Sequence, residues 1–153
     1  MAENFNRQRV LEILDEILKL ELAGVVRYTH YSFMVYGFNR IPIVRWLREQ
    51  ADEALRHAHE VGELITSLGG HPSLGIGPLL ETHKHDIGDI LQESMAHEKE
   101  ALNHYYQLLK EVEGRSVLLE EFARQIIAEE ERHLAEVDKM LRKPGTIERF
   151  AGQ

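Results

Sequence analysis

Four long stretches of three-and-four apolar spacing, parted by glycine and proline, restrict this chain to very few folds. The first runs over about 8–36, with Leu11, Leu14, Leu18, Glu21, Val25 and Tyr28 on one stripe. Gly37, Phe38 and Asn39 interrupt it, and Pro42 can open the next stretch at its first turn, where a missing N–H is harmless. The second, about 43–68, sets Trp46, Gln50, Glu53, His57, Val61 and Leu64 near one face and stops at Gly69-Gly70. The third settles by Ile87 and reaches Val112, aligning Ile90, Ser94, Glu98, Ala101, Tyr105 and Leu109. After the turn Glu113-Gly114-Arg115, Ser116 is a suitable N-cap for the fourth. That stretch extends to about Arg142 before Pro144-Gly145 and aligns Phe122, Ile126, Glu130, His133, Val137 and Leu141. The segment GGHPSLGIGP, residues 69–78, cannot be regular helix, and a loop of this length in a compact helical unit has a task, here to cross the length of a bundle. The expectation is all-α: two antiparallel hairpins joined by a long crossover between helices 2 and 3. One domain spans 1–153, with its bundle core at about 8–142 and a short C-terminal tail.

Gross composition removes several classes of function. A chain of 153 residues buries roughly two-thirds of its unfolded surface, so it needs no metal or disulfide as a staple. With no cysteine, thiol catalysis, Cys-ligated zinc and iron–sulfur clusters are excluded. A net charge of −8 argues against nucleic acid as a partner and favours the local accumulation of cations. No apolar run approaches the roughly 18 residues of a membrane span, and the polar start MAENFNRQRV lacks the apolar core of a signal peptide. A cytoplasmic protein without membrane association is expected. Nine histidines are many for this length, and they are the first compositional sign of metal.

The inward stripes carry acids where a core helix should offer only apolar groups. Glu21 sits between Leu18 and Val25, and Glu98 between Ser94 and Ala101. Glu53 with His57, and Glu130 with His133, place a carboxylate and an imidazole on one face of their helices. A lone buried carboxylate is unfavourable unless paired or bound to metal. Four carboxylates converging with two imidazoles repel strongly unless a cation intervenes, and two divalent ions neutralise the four charges. Each half of the chain repeats one spacing, 53 − 21 = 32 and 130 − 98 = 32. The echo fails at the histidines, because the fourth helix reads Glu-x-x-His and the second Glu-x-x-x-His. A π-bulge could absorb the extra residue. Two further assignments are open: Glu60 for the second helix, and Glu129 for the fourth. Of the other histidines, His59 and His104 are the better candidates for supporting the ligands, and His83-Lys84-His85 is an auxiliary cluster more naturally read as a solvated helix start.

At these residues the sequence resembles bacterioferritin and the wider ferritin-like superfamily. The resemblance is carried by Glu21-Leu-Ala-Gly-Val-Val-Arg-Tyr28, Asp52-Glu-Ala-Leu-Arg-His57-Ala, Ala-His97-Glu98 and Ala-Glu-Glu-Glu-Arg-His133, and it covers about 8–142. It implies the ferritin-like form of the bundle, with Glu21, His57, Glu98, Glu130 and His133 as ligands of a di-iron ferroxidase centre. A gapless alignment through His57 puts Ala54, not Glu53, at the family's ligand position. The methionine that binds haem in bacterioferritin corresponds to Leu55, so no haem of that type is expected. Only nine residues follow Pro144, where cage-forming relatives carry a fifth helix; a dimer of bundles, or a cage closed by other contacts, fits.

The function expected is binding of two Fe ions and oxidation of Fe(II) by O2 or peroxide, in iron storage or detoxification, with Mn or Zn as possible substitutes. Glu21 and Glu98 would be terminal carboxylates, Glu53 and Glu130 bridges, and His57 and His133 terminal nitrogens; a homo-oligomer, at least a dimer, is implied. The alternatives are a non-storage di-iron oxidase or peroxidase and a metal-binding bundle without turnover. The want of cysteine weighs against an attached rubredoxin-type donor, and the ligand distribution against a DNA-protecting miniferritin.

Overall fold

The structure, a computed structural model, describes residues 4–151. It consists of α1 (Arg7–Met34), α2 (Arg40–Ser67), α3 (Ile87–Val112) and α4 (Val117–Leu141), with no strand among the described residues. Polar caps set three of the starts: the side chains of Asn6, Asp86 and Ser116 accept the backbone N–H of Arg9, Gly88 and Leu119. α1 ends at Met34, two residues before the expected Tyr36. There the Arg40 guanidinium donates to the carbonyl oxygens of Ser32 and Val35, at 3.3 and 2.6 Å, and satisfies groups that a further helical turn would have used. α2 begins at Arg40 rather than Ile43; Pro42 still lies in its first turn, where no intrahelical N–H is needed. No described helix is long and apolar enough to cross a membrane.

α1 packs on α2, α3 on α4, and α1 on α3. The core forms two apolar clusters. One joins Val10–Leu18 positions of α1 to Ala58, Val61 and Ile65 of α2, Leu102–Val112 positions of α3, and Leu119–Ile127 positions of α4. The other joins Tyr28, Tyr31 and Val35 to Val44, Leu47, Ala51 and Ile90. Along every helix the acids singled out above fall at one end of the first cluster, and on α1, α2 and α3 they fall between the two. The alternation of N- and C-terminal halves within each cluster makes neighbouring helices antiparallel.

α2 ends at the first cluster and α3 starts at the second, so the chain must return along the whole bundle. Residues 69–86 do this against α1: Ser73 N–H donates to Asp15 Oδ1 at 2.9 Å, and Gly77 N–H to the Lys19 carbonyl at 2.9 Å. Gly77 suits that approach. A Cβ there would stand 3.1 Å from the Lys19 oxygen and 3.3 Å from Ala23 Cβ, so strap and helix would have to part by a few tenths of an ångström.

Candidate metal centre

Between the two clusters the apolar stripes are replaced by a polar layer to which all four helices contribute. His57 is 1% exposed, and Glu21 and Glu130 are also buried. The Nδ1 edge of His57 looks inward, 3.4 Å from Glu21 Oε2 and 3.6 Å from Glu130 Oε1. The second oxygen of Glu130 looks the other way, 3.9 Å from His133 Nδ1. Donor atoms of Glu98, Glu130 and His133 lie within 4.8 Å of one another. Glu130 is thus laid between two imidazoles, one oxygen toward each.

The outer edges of the same rings are held by a second pair of carboxylates. Glu129 on α4 stands 2.9 Å from His57 Nε2 on α2, while Glu53 on α2 stands 2.8 Å from His133 Nε2 on α4. Arg56 closes this side, with its guanidinium 3.0 Å from Glu129 and 3.5 Å from Glu53. Two tyrosines complete the layer by a similar exchange. Tyr28 on α1 donates to Glu98 on α3 at 2.6 Å, and Tyr105 on α3 donates to Glu21 on α1 at 3.2 Å.

Electrostatics show what this layer lacks. Burial pushes the Glu130 carboxyl far above its ordinary range, and the neighbouring Glu98, Glu21 and Glu53 add to the rise. Burial also raises Glu21, against the pull of His57. Burial would lower the His57 imidazole, but Glu21, Glu129 and Glu53 outweigh it and lift the ring to about 9. His133 is raised in the same way, with Glu53 overcoming burial, and Glu53 is lowered in return by its bond to His133. The Tyr28 and Tyr105 hydroxyls are raised by burial and by the acids beside them, so they act as donors. Even so, His57 Nδ1 and Glu130 Oε2 remain buried without a hydrogen-bond partner. An unpartnered buried nitrogen and carboxylate oxygen, aimed into a layer rich in acid, fit a cation as the missing partner.

A family model of the ferritin-like domain matches residues 11–146. The chain belongs to the ferritin-like family. Among solved structures, ferritin-like diiron-carboxylate proteins of Bacillus anthracis superpose with a TM-score of 0.84 at 23% identity, covering 89% of this chain and 97% of theirs. The dodecameric thioferritin of Bacteroides fragilis, a bacterioferritin-related protein, gives 0.81 at 21% identity over 90% and 86%. The bacterioferritin of Desulfovibrio desulfuricans, described with a diiron site, gives 0.80 at 21% identity over 88% and 79%. At these identities the likeness establishes the fold. No curated protein matches the sequence.

Within this ferritin-like bundle the six residues expected from the sequence, Glu21, Glu53, His57, Glu98, Glu130 and His133, do meet in one layer, but their register differs from the one inferred. The 32-residue echo paired Glu53 with Glu130. The contacts instead pair Glu53 with Glu129, each four residues before a histidine and each bonded to the Nε2 of the opposite one. Glu130 then corresponds to Ala54, since 130 − 54 = 133 − 57 = 76. The cause is one extra residue of chain between the layer positions of the first hairpin, 54 − 21 = 33 against 130 − 98 = 32. No π-bulge is needed, and α2 is an uninterrupted α-helix. Glu60 lies on the outer side, bonded to Arg56. His59 is exposed, and His104 bonds the Glu100 carbonyl of its own helix, so neither supports the layer. Tyr28 and Tyr105 stood on the stripes without a role. Their signal was available: 28 − 21 = 105 − 98 = 7 places each two turns beyond an acid on its own helix.

Proposed function

We propose that this chain binds two iron ions in the bundle core and oxidises Fe(II) to Fe(III), with dioxygen or peroxide as the electron acceptor. The observation that carries the reading is Glu130, whose two oxygens face the Nδ1 atoms of His57 and His133 while one of those oxygens has no other partner. In this reading Glu130 bridges, Glu21 and His57 hold one ion, and Glu98 and His133 hold the other. Glu53, expected as a second bridge, is assigned with Glu129 to fixing the rings through their outer nitrogens, a support that metal-bound imidazoles regularly have. The charges balance: five carboxylates face two divalent ions and Arg56. Ala54, at the place that corresponds to Glu130, offers no ligand atom, so an acceptor or water would have to complete the coordination there. Carboxylate and imidazole donors together suit iron, with Mn or Zn as substitutes. Bound iron supplies one electron per ion, two to each acceptor molecule. The protein's own work is to hold both ions at one level, to keep His57 and His133 in the tautomer that leaves Nδ1 free, and to exclude bulk water with the apolar clusters on either side.

The test is an anaerobic Fe(II) titration, expected to saturate near two ions per chain, followed by oxygen uptake on exposure to air. Failure to bind, or binding and uptake unchanged in the Glu53→Ala/Glu130→Ala double variant, rules the reading out. Tyr28→Phe and Tyr105→Phe are each expected to weaken metal affinity by about 10–100-fold, with the fold retained, because each frees one terminal carboxylate; competition with a chromogenic chelator measures this.

The reading extends to self-association. Val26 and Phe33 on α1, and Leu79 and Leu80 on the crossover, are exposed apolar groups that a second copy of the chain would cover. Light scattering after loading with Fe(II) and air separates the uses: a very large iron-rich particle means storage, and a small oligomer with two irons per chain means detoxification or redox catalysis. Leu55 supplies no thioether for haem. The reading assigns the protein to the cytoplasm, where a reducing medium maintains Fe(II).

A further inference from the structure

His30, Glu81 and His85 stand apart from the bundle core. His30 lies on the outer side of α1, nine residues beyond Glu21 (30 − 21 = 9), about 13 Å further along the axis. Glu81 and His85 belong to the last part of the crossover, just before the N-cap of α3. One oxygen of Glu81 is 2.6 Å from His30 Nε2, and the other is 3.2 Å from His85 Nε2. The two rings stand edge to face with centroids 6.2 Å apart. The three donor atoms lie within 4.8 Å of one another.

This convergence is made by the backbone of a non-helical turn. His83 has φ of 58°, the one described non-glycine residue in the left-handed region, and its N–H donates to Glu81 Oε1 at 2.6 Å. Thr82 donates to Glu93 of α3 and anchors the turn from below. The turn brings residue 85 back over residue 81 and presents both to α1. The His83 N–H and His30 hold the Glu81 carboxyl down at about 2, so it is an anion at any ordinary pH. His83 thus contributes its backbone, whereas His30, distant in sequence, contributes the second ring.

We propose that His30, Glu81 and His85 form a second metal site, separate from the core centre, which takes one divalent transition-metal ion of the zinc or ferrous class and clips the crossover to α1. Two imidazoles and one carboxylate select such ions over magnesium or calcium, which require mostly oxygen donors. The three side chains are partly exposed, so water completes the coordination. Metal binding replaces two hydrogen bonds between ring and carboxylate by three bonds to one ion, joining Glu81 and His85 to α1.

The test uses the full chain and the double variant His30→Ala/His85→Ala, titrated with Zn(II) against a chromogenic chelator. The variant is expected to bind one zinc fewer per chain than the wild type, whatever the occupancy of the core, so this result is independent of the proposed iron centre. In the wild type, Zn(II) at about ten times its Kd is expected to slow tryptic cleavage after Lys84 about tenfold, and in the variant to leave it unchanged. Equal zinc counts in the two proteins, or equal protection of Lys84 in both, overturn the proposal.

Discussion

Glu130→Met is expected to raise the melting temperature of the metal-free chain and to remove the stabilisation that Fe(II) confers on the wild type. The two effects share one cause. Without metal, Glu130 is a buried carboxyl crowded by Glu98, Glu21 and Glu53, with one oxygen lacking any partner. A methionine of similar length dispenses with that desolvated group and continues the apolar stripe from Ile126 and Ile127. Replacements of buried charged groups by well-packed apolar ones are worth up to about 1–4 kcal/mol. For a chain of this size each kcal/mol moves the midpoint by about 2–4 °C. With metal the sign reverses, because the carboxylate proposed to touch both ions is gone. Wild-type protein at 100 times the metal Kd gains about 2.7 kcal/mol for each site, and the variant forfeits most of this. Differential scanning calorimetry with and without anaerobic Fe(II) measures both. A metal-free variant that melts well below the wild type, or one that keeps the full metal-induced shift, contradicts the assignment of Glu130.

Leu14→Ala is expected to cost about 2–5 kcal/mol of stability, read as a lowered urea midpoint at unchanged slope. Leu14 is 0% exposed and lies in the larger cluster, which all four helices share. Truncation leaves a cavity that close-packed neighbours from separate helices cannot collapse to fill. The loss is a large share of the roughly 5–15 kcal/mol typical of a whole domain. Metal loading is expected to offset part of it, since the ions proposed for the layer between α1, α2, α3 and α4 would bind only the assembled bundle. If loading raised the midpoint of neither protein, the layer would not be coupling the helices.

Much of the architecture was legible because helical periodicity and Gly/Pro punctuation are local signals. Ile87 and Val112 were placed at both ends of α3, and Ser116 as the cap of α4. The ends of α1 and α2 were less exact, because Arg40 caps α1 from across the turn, a contact that periodicity does not contain. The acids were legible for a related reason: a carboxylate in an apolar stripe contradicts its surroundings, and four such contradictions at one level imply a common partner.

What could not be read along the chain was which atom of each residue faces which other. Composition and spacing determined the all-helical bundle, the crossover, and six of the residues that meet in the layer, since burial pattern depends only on steps of three and four; Tyr28, Tyr105 and Arg56 joined them only in the structure. The structure alone decided that Glu53 stands opposite Glu129, that Glu130 lies between the rings, that Tyr28 and Tyr105 exchange partners across α1 and α3, and that His30 meets Glu81. A one-residue difference in the length of chain joining two layer positions shifts the register of paired helices without altering either helix's own stripe. Contacts between helices depend on that register, and it is set only when the two apolar clusters pack.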